Sequence, residues 1–150
     1  MIQRIQSLYL LLASIGQVVF ATGTYFTYNL SNSIYKVTGK GVFDMNEMLV
    51  GGDSKSFYLG LVLALFAFVT IFLFKNRKRQ IKFSKIGGLA TFAEIIFLLV
   101  TFYKLNQGEE TNISFGFALF IVPITTVLFF MANKAVKKDD DLVRSVDRIR

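Results

Sequence analysis

Four apolar stretches, Ile5 to Phe26, Phe57 to Phe74, Ile86 to Tyr103 and Ile113 to Ala132, each approach the roughly 20 residues that a helix needs to cross a bilayer. Hydrocarbon offers no partner to a backbone N–H or C=O, so a spanning segment satisfies itself as a helix or within a closed barrel. Long apolar runs without alternation read as helices. The sequence therefore predicts an all-α membrane protein, a four-transmembrane-helix bundle forming a single integral domain of 150 residues. Spans fall at about 5–26, 57–74, 86–103 and 113–132, leaving a loop at 27–56, a basic loop at 75–85 and a tail at 134–150. Composition agrees: 53% of the residues are hydrophobic and 17 are Phe, more than a water-facing globule of this size can hide. Arg4 ahead of a run ending near Ala21 and Gly23 also looks like a secretory signal, but the run exceeds the core of about 7–15 residues that such signals use.

The chain has no Cys and no His. That excludes disulfides, thiol redox relays and thiolate metal sites, and removes the commonest metal ligand and general base. No catalytic residue, metal ligand or cofactor site is expected. No small-molecule substrate is evident either, and a lipid-modifying enzyme is disfavoured because no paired carboxylates line a plausible site.

Positive charge in short loops marks the cytoplasmic side. Lys75, Arg77, Lys78, Arg79, Lys82 and Lys85 lie between the second and third spans, and Lys134, Lys137, Lys138, Arg144, Arg148 and Arg150 follow the fourth. With Arg4 these make thirteen of the seventeen Lys and Arg residues, against Lys36, Lys40, Lys55 and Lys104 on the other face. Both termini are therefore expected in the cytoplasm. The net charge of +7 needs no nucleic acid to explain it, because topology places these charges at membrane borders. The run from Lys75 to Lys85 also offers a surface for anionic lipid, at about 1 kcal/mol per residue near an acidic leaflet, or for a docking protein.

Within 27–56, Ile34 to Phe43 alternates around Gly39-Lys40-Gly41, the signature of an extracytoplasmic β-hairpin between the first two helices. A lone hairpin is marginal in water, so it is expected to pack on the helix ends or to recruit a third strand from Thr111 to Ser114. It serves either as a cap over the bundle or as a partner-binding edge. The tail reads as a short amphipathic cytoplasmic helix with Leu142, Val143, Val146 and Ile149 on one stripe. At about fourteen residues such a helix needs a surface to dock on, and the acidic residues after Lys138 favour a protein, or the loop between the second and third spans, over lipid.

Glu94, near the middle of the third span, is the one charged residue deep within any span. A charge at the bilayer centre costs about 2.5–3.5 kcal/mol on insertion scales, so it is expected to face the bundle interior with a partner, in its neutral form. Gln17 and Pro123 lie at similar depth, giving an intramembrane polar spot of Glu94, Gln17 and Pro123 in which a Gln17 to Glu94 hydrogen bond is the simplest pairing, with Thr125 and Thr126 near the backbone that the proline opens. Four roles compete: packing glue, contact with another membrane subunit, a proton or cation relay, and a small polar ligand site between helices. Small residues at Ala13, Gly16, Ala64, Ala67, Gly87, Gly88, Ala90 and Ala93 support close packing and place the third helix at the centre.

The opening MIQRIQSLYLLLA and the closing DDDLVRSVDRIR, with four spans between them, resemble a family of small uncharacterised integral membrane proteins of Bacteroidota. That resemblance implies the inner membrane of a diderm bacterium, making 27–56 periplasmic, and brings no activity with it. The expected function is that of a non-enzymatic inner-membrane accessory or scaffold subunit contacting lipids and other membrane subunits. The alternative is a small proton- or ion-coupled transporter or channel component working through Glu94.

Overall fold

The computed structural model describes residues 5–30, 33–105 and 112–147. Helices α1 (Ile5–Thr22), α2 (Lys55–Phe72), α3 (Arg77–Leu105) and α4 (Ala118–Asp147) hold the apolar stretches. All four are long and apolar enough to cross a membrane, which marks a helical membrane protein. Burial is inverted relative to a water-soluble bundle. Leu8, Ile15, Val62, Leu65, Phe92 and Leu99 are exposed, whereas Gln17, Gln80, Ser84, Thr91, Glu94 and Thr125 are buried. Apolar side chains lose nothing against lipid, while polar groups must find partners inside.

The most extensive packing runs along α1 with α2, α1 with α4 and α4 with α3; α2 and α3 meet over a much smaller area. The α1–α4 pair is thus the centre of the bundle, and the expectation for the third helix is corrected. Small residues mark close approach without saying how many neighbours a helix has: Gly87 and Gly88 are buried, but Ala93 is exposed.

Helix boundaries depart from the apolar stretches because hydropathy marks where lipid begins and not where hydrogen bonding ends. α1 stops at Thr22, where the Gly23 N–H closes the last turn on Val19 O at 2.9 Å. Tyr25 and Phe26, assigned above to the first span, instead begin strand β1 (Thr24–Leu30), whose Thr, Tyr and Phe residues suit a pleated surface. At 75–85 there is no basic loop. A single 3₁₀ turn, Leu73–Lys75, leads to Asn76, whose side-chain oxygen accepts the Arg79 N–H at 3.2 Å and so caps α3. Lys, Arg and Gln are good helix formers and nothing in that run breaks a helix. The separate tail helix is corrected for the same reason, since α4 runs unbroken from Ala118 to Asp147.

The expectation of an all-α chain with one hairpin gives way to a five-stranded antiparallel sheet. The hairpin is present as β2 (Ser33–Thr38) and β3 (Gly41–Asp44), with Thr38 opposite Gly41 and Lys36 opposite Phe43. Gly41 sits at φ 135°, a conformation that a side chain rarely tolerates. β4 (Leu49–Gly51) pairs with β3. β5 (Asn112–Phe115) is the recruited strand, but it joins β1 instead of the hairpin, giving the order β4-β3-β2-β1-β5. Thr111 lies outside the described residues. Tyr25, Phe26 and Val37 seat the sheet on Phe20, Leu98 and Val122 at the helix ends, with the Phe20 and Tyr25 rings stacked at 4.6 Å. The sheet and the α2–α3 turn therefore occupy opposite ends of the bundle, called here the sheet end and the basic end.

Candidate functional site

The polar spot joins three helices through one amide. From α1, Gln17 Nε2 donates to Glu94 Oε2 on α3 at 3.0 Å and to Thr125 Oγ1 on α4 at 3.1 Å. Both amide hydrogens are thereby used. Gly16 makes this reach possible, because a Cβ there would collide with the Thr125 methyl, so its absence lets α1 and α4 touch. Thr125 Oγ1 in turn donates to Val122 O at 2.9 Å. One turn nearer the basic end, Thr126 Oγ1 lies 3.0 Å from Thr91 Oγ1, which donates to Gly88 O.

Pro123, expected in this spot, is exposed on α4, and Thr125 takes the place assigned to it. A proline five residues into a helix removes only one hydrogen bond near its start. The Thr125 and Thr126 hydroxyls both approach Val122 O, at 2.9 Å each, instead of the carbonyl one turn earlier. Glu94 is buried within its own chain, so it is not offered to the helix of another subunit.

Polar burial continues toward the basic end. Gln80 Nε2 donates to Thr70 O on α2 at 3.2 Å, and Asn133 Nδ2 on α4 donates to Ile81 O at 2.7 Å. Five buried atoms have no hydrogen-bond partner among the described residues: Gln17 Oε1, Glu94 Oε1, Gln80 Oε1, Ser84 Oγ and Tyr25 Oη. Burial raises the pKa of the Tyr25 phenol, and the Glu94 carboxylate adds to the shift, so this hydroxyl keeps its proton.

Of the basic residues singled out, Lys75, Lys78, Arg79, Lys82 and Lys85 are exposed around the α2–α3 turn. Arg77 is half-buried and pairs with Asp139 on α4, through its carboxylate at 3.5 Å and its backbone oxygen at 3.3 Å. Phe74, Arg77, Lys78 and Asp140 border an open polar cavity of about 410 Å³ there. α4 beyond the apolar stretch thus docks on the turn through its acidic side. Leu142 and Val143 of the predicted docking stripe remain exposed, while Ile149 and the Val146 side chain lie outside the described residues.

Sequence reasoning paired Gln17 with Glu94 but missed Gln80, Ser84, Thr91 and Asn133 as buried groups. For the three on α3 the signal is the spacing of Gln80, Ser84, Thr91 and Glu94, which recur on one helical face once 75–85 is read as helix. Among the described residues no cluster of three acidic side chains offers itself to a metal ion.

The chain belongs to the family described as a domain of unknown function (DUF4293), whose model matches residues 2–149. No curated protein and no solved structure matches it.

Proposed function

We propose that this protein is a non-enzymatic integral protein of the bacterial inner membrane, in Bacteroidota, serving as an accessory or scaffold subunit of a larger membrane complex. In this reading both termini and the basic end face the cytoplasm and the sheet stands in the periplasm. The excess of Lys and Arg around the α2–α3 turn and along α4 supports that orientation. The same residues hold the cytoplasmic end against anionic lipid.

One observation outweighs the rest. Strand β4, at one edge of the sheet, carries side chains that a water-facing edge would avoid: Leu49 is 60% exposed and Val50 59%, with Met48 just before the strand at 70% and Met45 nearby at 66%. Soluble edges are normally blunted by charge or proline, whereas an apolar edge suits an incoming strand from a partner subunit. The internal ties of Gln17 and Glu94 fit the same role, since a scaffold needs a bundle of fixed geometry.

The test is mild-detergent purification of the tagged protein from its native membrane, compared with a Leu49→Lys, Val50→Pro variant that spoils the edge. A stoichiometric membrane partner held by the natural chain and lost from the edge variant is the expected result. A partner retained by the variant would move the docking surface elsewhere, and a clean monomer from the natural chain would overturn the subunit reading.

A second reading rests on Glu94 Oε1, a buried carboxylate oxygen with no partner among the described residues. Such a group suits a titrating site in a proton- or ion-coupled transporter. Glu94→Gln separates the two, because Gln is nearly isosteric with a neutral Glu and cannot exchange a proton. Proton-dependent flux in reconstituted vesicles, present in the natural protein and lost in Glu94→Gln, would establish transport.

A further inference from the structure

We propose that the buried face of α3 from Gln80 to Glu94 forms a water-filled half-channel, entered at the basic end and stopping at Glu94. It does not rest on the docking role of the sheet, and it adds a solvent path that a scaffold does not require. Gln80, Ser84, Thr91 and Glu94 recur at helical spacing on one face, over a rise of about 21 Å at 1.5 Å per residue. All four are buried.

Gln80 Oε1, Ser84 Oγ, Glu94 Oε1 and the facing Gln17 Oε1 each lack a partner among the described residues. The two amide oxygens only accept, the Ser84 hydroxyl both donates and accepts, and Glu94 Oε1 accepts as a carboxylate and donates when protonated. The guest must therefore both donate and accept, and water does so with two to four bonds per molecule. The Thr91 and Thr126 hydroxyls, 3.0 Å apart, supply stepping points between Ser84 and Glu94.

Direction follows from what lies beyond each end. Both sides of Glu94 hold an apolar cluster, Phe20, Phe26, Leu98 and Val122 toward the sheet and Leu10, Ala13, Ala67, Phe129 and Ala132 toward the basic end. Among the described residues, however, the one partnerless atom on the sheet side is Tyr25 Oη, whereas Gln80 Oε1 and Ser84 Oγ lie along α3 on the basic side. On the other side, Arg77 lies one turn outside Gln80 and reaches Asp139 across to α4, both partly exposed. This ion pair is a latch over the mouth. The Phe129 ring, pressed so close to Gly87 that no Cβ fits there, stands between Ser84 and Thr91 as a constriction.

The natural chain contains no cysteine, so single substitutions report directly on water access. Ser84→Cys, Thr91→Cys and Leu98→Cys are placed in the full chain in sealed vesicles and treated with a small hydrophilic methanethiosulfonate, Lys78→Cys and Lys36→Cys reporting which end faces the reagent. Thiolate attack needs water at the sulfur, so Ser84→Cys and Thr91→Cys should react at least about tenfold faster than Leu98→Cys, and only from the basic end. Adding Asp139→Asn should speed labelling at Ser84→Cys; adding Phe129→Ala should speed it at Thr91→Cys. Rates at both sites no faster than at Leu98→Cys, or equal from both ends, would overturn the half-channel. Labelling of Ser84→Cys alone, unchanged at Thr91→Cys by Phe129→Ala, would refute its reach to Glu94. Ser84→Cys is close to isosteric, so a folding failure at Thr91→Cys leaves the first criterion intact.

Discussion

The interior toward the sheet is closed by aromatic rings, whereas the interior toward the basic end sets amides and hydroxyls along α3 beside a second apolar cluster of Leu10, Ala13, Ala67, Phe129 and Ala132. Phe20 of α1 and Tyr25 and Phe26 of β1 lock the first region through ring contacts and the strand pairing of β1. Gln80, Thr91 and Asn133 hold the second through single hydrogen bonds between helices. Such bonds contribute little individually in a membrane, about 0.6 kcal/mol on average, because the separated helices also find partners. The molecule thus sets a rigid cap on a looser polar shaft, and Gln17 and Glu94 stand at the junction.

The contrast breaks most visibly if a ring is removed from the cap. Phe20→Ala should cost about 3 kcal/mol, at the low end for a buried Phe, since lipid lessens the transfer part of the loss while the cavity remains. Thermal unfolding in mild detergent measures it. A loss below about 1 kcal/mol would mean that the aromatic end is no better packed than the shaft.

Gln17→Leu, at the junction, comes next. It removes the donor to Glu94 and the bond to Thr125, leaving a buried carboxyl without its partner, for a cost of about 1–3 kcal/mol. The double variant Gln17→Leu, Glu94→Leu should recover most of that stability, because deleting both members of a buried polar pair is often nearly neutral. No recovery in the double variant would show that Glu94 is held by groups other than Gln17. Thr126→Val belongs with the shaft: losing the approach to Thr91 should cost about 0.6 kcal/mol in the same assay.

How much of this was legible in the sequence depends on which physical quantity the sequence displays. The four helices were plain because lipid demands length and apolarity together, and the pairing of Gln17 with Glu94 followed from depth alone. The β2–β3 hairpin was readable from Gly39-Lys40-Gly41, and β5 was anticipated at nearly its observed position. β1 was not, since Tyr25 and Phe26 are apolar enough to extend a span and only the hydrogen bond at Gly23 shows the helix ending. The shaft was hidden by the charges of 75–85, which mark a lipid boundary while the helix continues through them. Thr125 displaced Pro123 because depth ignores direction: neighbours on a helix at one depth point to different sides.

Two deletions of a single oxygen separate the cap from the shaft, one with a gain in stability and the other with almost no change. Tyr25 Oη and Ser84 Oγ are both buried without a partner among the described residues, the first in the aromatic cap and the second in the shaft. In a dry surrounding, removing an unsatisfied hydroxyl recovers its desolvation cost, so Tyr25→Phe should stabilise the protein by about 1 kcal/mol. In a hydrated shaft the Ser84 hydroxyl is already bonded to water, so Ser84→Ala should change stability by less than about 0.5 kcal/mol. Equal stabilisation by both variants in detergent unfolding would make the two ends alike and dry. A gain at Tyr25→Phe with none at Ser84→Ala would assign the water to the basic half, by a measurement that involves no labelling reagent.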